Sequence, residues 1–97
     1  MRELTKQERK LFKSWFNGFV VGFREAYDKL PANTGNAWNR LALFKRAKMK
    51  KTEFNHGYNK AYELYLNVIG KTWDEINPEL YKDWYKRYFL YHLESKE

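Results

Sequence analysis

Apolar residues recur at intervals of three and four along residues 5–30. Phe12, Trp15, Phe16, Phe19, Phe23, Ala26, Tyr27 and Leu30 share one stripe of a helical wheel, and Lys6, Lys13 and Arg24 fall on another side beside Lys10 and Asn17. Thr5 and Glu8 have capping-box spacing and mark the start of this helix. Pro31 marks its stop, ahead of a loop, Ala32-Asn33-Thr34-Gly35-Asn36. A second helix is predicted over 36–50 on a looser pattern, in which Ala37, Leu41 and Phe44 align while Trp38, Ala42 and Met49 sit beside them. A third, over 52–69, has Thr52 as its cap and Gly70 as its stop; Phe54, Gly57, Tyr58, Ala61, Leu64, Tyr65 and Val68 share its face. Thr72 and Glu75 repeat the capping-box spacing and predict a single turn. Asn77 as cap and Pro78 at the first helical position open a last helix, over 77–93. Together these predict an all-α fold, a compact bundle of about four helices in a single domain spanning 1–97.

The last helix is apolar on too many sides. Leu80, Tyr81, Trp84, Tyr88 and Tyr91 make one broad face, while Tyr85, Phe89 and Leu93 lie outside it. Either this helix is central to the bundle, or Tyr85, Phe89 and Leu93 meet a partner protein or a second copy in a homodimer.

One pattern occurs twice. Gly22-Phe23-Arg24-Glu25-Ala26-Tyr27 returns thirty-five positions later as Gly57-Tyr58-Asn59-Lys60-Ala61-Tyr62, with Phe19 and Phe54 matching upstream. In each copy a glycine and an alanine stand four apart, on one helix face. Small residues there let another backbone approach closely, and the flanking rings add contact area. The role is architectural, and two copies are too few for a solenoid.

Composition narrows the function. The chain of 97 residues fits one domain, and it has no cysteine for a disulfide or a thiolate metal site. The apolar stretches are far shorter than a bilayer requires, and the charged segment 1–13 lacks a secretory apolar run, so a soluble cytoplasmic protein with no membrane partner is expected. The net charge of +7 is unevenly spread. Residues 1–51 carry thirteen Lys/Arg against four Asp/Glu, a balance of +9, and residues 52–97 carry six against eight, a balance of −2. Between Arg40 and Lys51 stand six bases (Arg40, Lys45, Arg46, Lys48, Lys50 and Lys51) and no acid. Clustering of this kind suggests an anionic partner.

Candidate chemistry is sparse. His56 and His92 are far apart in the chain with no cysteine to complete a zinc set, and Ser14 and Ser95 have no recognisable histidine partner. The five glycines are dispersed rather than forming a phosphate loop. Asp74, Glu75 and Glu79 sit at a turn and a helix start, where carboxylates favour the helix dipole. No catalytic, metal or cofactor site is expected, and the protein reads as a non-enzymatic binder. In one reading Arg40, Lys45, Arg46, Lys48, Lys50 and Lys51 contact nucleic-acid phosphates, Lys6, Lys10 and Lys13 form a second patch, and Trp38 is the stacking candidate, although a large aromatic there reads first as a core residue. In the other, the same basic, aromatic-rich surface docks on a protein that handles nucleic acid. In length, in its lysine-, tyrosine- and asparagine-rich composition and in its Gly-aromatic-x-x-Ala-Tyr pieces at 22–27 and 57–62, the chain resembles short bacteriophage and mobile-element products, including anti-CRISPR and other anti-defence proteins. That resemblance implies an inhibitor or regulator acting in the host cytoplasm.

Overall fold

The computed structural model describes residues 3–95, and among them all regular structure is helical. Met1, Arg2, Lys96 and Glu97, counted in the charge sums, and the side chain of Ser95 lie outside it. Helix α1 spans Lys6–Tyr27 and opens on the expected capping box: the Glu8 N–H donates to Thr5 Oγ1 (3.1 Å) and the Thr5 N–H to Glu8 Oε1 (2.9 Å). It closes earlier than Pro31. Leu30 N–H reaches back to the Glu25 carbonyl (2.9 Å) and Lys29 N–H to that of Ala26 (3.0 Å), with Lys29 at φ 64°. This is a Schellman closure with lysine where glycine is usual. It turns Leu30 out of the stripe and into solvent.

The predicted second helix is two short ones, α2 (Thr34–Asn39) and α3 (Leu43–Ala47), separated by extended backbone at Ala42. In one continuous helix Trp38 and Met49 would stand roughly 16 Å apart along the axis. The break lets both pack on the same small cluster, formed by Ala37, Trp38, Phe54 and Tyr58. Phe44, expected to align with Ala37 and Leu41, is exposed.

Helix α4 (Lys51–Tyr65) takes Lys50, not Thr52, as its cap residue. Thr52 falls inside the first turn, because the Lys50 N–H is held by Ser14 Oγ (2.9 Å) and fixes where the helix begins. The helix ends at Tyr65 and loosens into i→i+3 turns before Gly70, at φ 94°. Helix α5 (Trp73–Ile76) is the single turn predicted from Thr72 and Glu75, whose Oε2 accepts the Thr72 N–H (3.0 Å). A 3₁₀ turn, Pro78–Tyr81, capped by Asn77, leads into α6 (Lys82–Ser95).

Helix α1 is the central element. Contacts between α1 and α4 advance together, from Ser14 with Lys50 through Gly18 with Phe54 and Gly22 with Tyr58 to Leu30 with Tyr62, so the two run parallel. The two copies of the repeat therefore lie against each other. A Cβ on Gly18 would overlap the Phe54 carbonyl, one on Gly57 the Trp15 carbonyl, and one on Gly22 would stand 2.6 Å from the Tyr58 oxygen. Helix α6 runs antiparallel to α1 on an adjoining face, where it also borders α4, with its Phe89 over Phe12 and Trp15 and its Tyr85 over Phe16 and Phe19. The main core fills the space between them: Phe12, Trp15, Phe16, Phe19, Phe23, Phe89 and Leu90 are all buried. The radius of gyration, 13.2 Å, is that of a single domain of this length.

The last helix thus inverts the expectation about its faces. Phe89 is 3% exposed and Tyr85 and Leu93 are half-buried, all against the core, so they form no open association surface. The broad face lies outward instead, with Leu80, Tyr81, Trp84 and Tyr91 exposed.

Candidate functional site

Ser14 is buried within α1 and makes two hydrogen bonds that define the surface around it. Its Oγ donates to the Lys10 carbonyl (3.3 Å) and accepts the Lys50 N–H (2.9 Å). This clips the end of the 40–51 segment onto the first half of α1. The two basic patches, separate in sequence, become neighbours: Lys48, Lys50 and Lys51 on one side of the clip, and Lys6, Lys10 and Lys13 on the outer face of α1. All six side chains are exposed, and none is in an ion pair among the described residues. Unpaired cations on one surface add their fields outward.

The cationic face continues past α1 toward α6. A groove of about 650 Å³ runs there with Arg9, Lys13, Lys82 and Lys86 among its lining against one acid, Glu79. Its floor is apolar, built from Phe12, Phe16 and Val20, and Lys82 Nζ stands 5.7 Å from the centre of the Phe16 ring. Arg9, Lys82 and Lys86 were not among the residues expected from sequence. Lys82 and Lys86 belong to the half of the chain whose charge sum is negative, and only the packing of α6 on α1 carries them to the basic side.

The other expected residues divide. Arg40 is ion-paired with Glu25 and belongs to a structural network, not to the open face. In that network the Tyr58 hydroxyl donates to Glu25 Oε1 (2.7 Å) and accepts the Asn33 N–H (3.1 Å), and the Tyr62 hydroxyl donates to the Leu30 carbonyl (2.7 Å). Burial, above all, pushes the Tyr58 phenol well above its ordinary pKa, and burial also raises that of Tyr62. Lys45 is exposed on α3, whereas Arg46 is half-buried, with its Nε covered and unpartnered among the described residues. Trp38 is 8% exposed and packs edge-on against Phe54, so it offers no stacking face. Phe44 takes the open position, 65% exposed beside Lys45. Exposure of Phe44 follows from the break at Ala42, which resets the helical phase downstream, whereas Trp38, upstream of the break, is held in the small cluster by Phe54.

His56 and His92, distant in the chain, line one groove between α4 and α6 with Glu53, Lys60 and Glu63. Lys60 Nζ bonds Glu63 Oε2 (2.9 Å), and the His92 ring packs on Tyr88. Among the described residues no group of three or more His, Cys, Asp or Glu side chains is placed to hold a metal ion. No described helix is long and apolar enough to cross a membrane. No protein-family model matches the chain, and neither curated proteins nor solved structures give a match.

Proposed function

We propose that this is a non-enzymatic binding protein that docks, as an inhibitor or regulator, on a protein complex that handles nucleic acid, in the manner of the short anti-defence proteins of bacteriophages. The observation that carries the reading is the Ser14 clip, which makes one cationic surface from Lys6, Lys10 and Lys13 of α1 and Lys48, Lys50 and Lys51 before and at the start of α4. A surface of one sign speeds encounter with an acidic partner and rejects basic ones. The apolar floor of the adjoining groove, Phe12, Phe16 and Val20, favours a protein that offers carboxylates beside apolar groups. Direct contact with nucleic acid is the second reading, supported by Phe44, whose open ring beside Lys45 is available to stack on a base.

Salt titration separates the two. Binding of mixed-sequence duplex and single-stranded DNA, followed by fluorescence anisotropy, that weakens about 10³-fold or more between about 50 and 200 mM salt supports direct phosphate contact. Absence of binding at low salt supports the protein partner. Replacing Lys10, Lys13, Lys48, Lys50 and Lys51 together with glutamine then tests the surface. A partner held by the wild type after nuclease treatment, and lost by the variant at unchanged melting temperature, is the expected result. A variant that retains both partner and activity would reduce the cluster to a solubility device.

A further inference from the structure

The groove between α1 and α6 is built in rows. Phe12, Phe16 and Val20, four residues apart on α1, make its floor, with about 6 Å between neighbours along the helix axis. Arg9 and Lys13 stand at the same spacing along one rim, and Lys86 and Lys82 of α6 form the other. None of these four cations is in an ion pair among the described residues. One acid, Glu79, borders the groove, and Asp83, next to Lys82 in the chain, lines a separate hollow with Arg87. The charge is graded along the rows. Because α6 is antiparallel to α1, Lys86 stands toward the Arg9 end and Glu79 toward the Val20 end, where the α1 rim continues as Asn17. The Asn17 amide donates to the Lys13 carbonyl (2.7 Å).

We infer that this groove takes an acidic amphipathic helix of the partner, which is therefore recognised through one short segment. The inference rests on the reading of the cationic face as a protein-docking surface and names what docks in its groove. Charge complementarity selects the ligand. Four cations against one acid call for carboxylates, and the apolar floor between the rims calls for a row of aliphatic or aromatic side chains. Cations on both rims select the conformation. In an extended strand alternate side chains point to opposite faces, so a strand with its apolar residues on the floor turns the others to solvent. A helix flanks its apolar stripe with residues on both sides, and those reach both rims at once. Its apolar residues, at intervals of three and four, also repeat at about the spacing of the floor, roughly 5–6 Å. A phosphate chain satisfies the cations and leaves the floor bare.

The test is fluorescence anisotropy at low salt with a labelled synthetic peptide of about four helical turns, held helical by a staple across its outer face. Leucines at intervals of three and four form its stripe, and glutamates flank the stripe on both sides. The wild type is expected to bind this peptide about tenfold or more tightly than the same peptide with serine for leucine. Lys82→Gln combined with Lys86→Gln should weaken binding about threefold or more at unchanged melting temperature. Lys48→Gln combined with Lys51→Gln makes the same change of charge away from the groove and should cost less than about twofold. Glu79→Lys should tighten binding about twofold or more. No binding of the peptide, equal binding of the serine peptide or of single-stranded DNA, or equal losses in the two lysine pairs would each overturn the inference. Its failure and that of the docking reading are distinct. If the peptide does not bind while capture of the partner still depends on Lys48, Lys50 and Lys51, the docking reading holds and this inference is lost. If the peptide binds as described but substitution of those three leaves the partner bound, the wider surface is lost and the groove remains.

Discussion

The close pairing of α1 with α4 makes opposite predictions for two glycines. Gly57 sits on α4 where an added Cβ would overlap the Trp15 carbonyl oxygen and stand 2.8 Å from its carbon and 3.0 Å from the Phe19 nitrogen. These are backbone atoms of a helix and cannot rotate aside, so alanine must push the helices apart. Overpacking of this kind costs about 1–3 kcal/mol, and a backbone obstruction belongs at the upper end. Alanine also improves helix propensity by about 1 kcal/mol, which acts in the other direction. The net expectation for Gly57→Ala is a loss of about 2 kcal/mol, or a melting temperature lower by roughly 8–16 °C in a domain of this size. Gly35, in α2, has as its nearest neighbour only Asn33 Oδ1 at 3.5 Å, an ordinary contact. There the propensity term acts alone, and Gly35→Ala should gain up to about 1 kcal/mol.

Urea and thermal unfolding followed by circular dichroism measure both. Gly18→Ala should behave like Gly57→Ala, since it meets the Phe54 carbonyl across the same interface. The double variant should cost less than the two single losses combined, because helices already separated by one methyl accept the second more easily. A Gly57→Ala protein as stable as the wild type would refute the close approach, and with it the reading of the repeat as a mutual helix contact. Fully additive losses would show that the two contacts yield independently.

Four further outcomes follow from local geometry. Lys29→Gly should stabilise the fold by about 0.5–1 kcal/mol, because φ 64° strains a lysine and suits glycine; a lower melting temperature would contradict the Schellman closure. Tyr58→Phe should lose about 1–3 kcal/mol at neutral pH by stranding Glu25 and the Asn33 N–H. Because the folded state raises the Tyr58 pKa, its contribution is complete below the ordinary phenol value near 10 and falls as pH rises beyond it, so the variant's urea midpoint should decline less steeply than the wild type's above about pH 10; parallel declines would refute this. Ser14→Ala should cost about 1 kcal/mol and weaken partner binding by releasing Lys50, whereas full binding would show that the clip does not shape the surface. Arg40→Gln should leave partner affinity unchanged within about twofold and lower stability by no more than about 1 kcal/mol, since its exposed guanidinium already serves Glu25; a large drop in affinity would return Arg40 to the binding face.

The elements that were legible in the sequence are those whose signal is local. The capping boxes at Thr5–Glu8 and Thr72–Glu75 name their own helix starts and stand where the spacing puts them, whereas Asn77 and Pro78 open a 3₁₀ turn and the last α-helix begins only at Lys82. The Gly-x-x-x-Ala copies announced a tight contact but not that the copies would contact each other. That required knowing that α1 and α4 run parallel, which no residue states. The closure at Lys29 had no signal at all, since lysine does not advertise a left-handed backbone. At Phe44 a helical wheel carried one phase through Ala42, and the extended backbone there invalidated it for everything downstream. On α6 a clue was present. Phe89 and Leu90 have no polar atom, whereas Tyr81, Trp84 and Tyr91 keep a polar tip for water, and it is the purely apolar pair that faces α1.

The candidate surface follows from this topology more than from charge content. Two helices joined by a short turn run antiparallel, and in that arrangement the end of the 40–51 segment would pack near the C-terminal end of α1, beside Asp28. Because α1 and α4 are parallel, residues 28–50 must carry the chain back along α1 from Tyr27 to the level of Ser14 before α4 begins. The 35-residue offset of the repeat sets the register of that return, and Lys50 arrives 36 positions after Ser14, one residue from the offset that aligns the glycines. Glycines that allow the helices to approach, a serine small enough to be buried between them and an uninterrupted run of bases ahead of α4 together place Lys48, Lys50 and Lys51 against Lys10 and Lys13. Inserting one turn of helix between Lys51 and Phe54 would keep every charge and every helix while sliding Lys50 off Ser14. Loss of partner binding in that variant, with helicity retained, would attribute the surface to register; unchanged binding would attribute it to net charge alone.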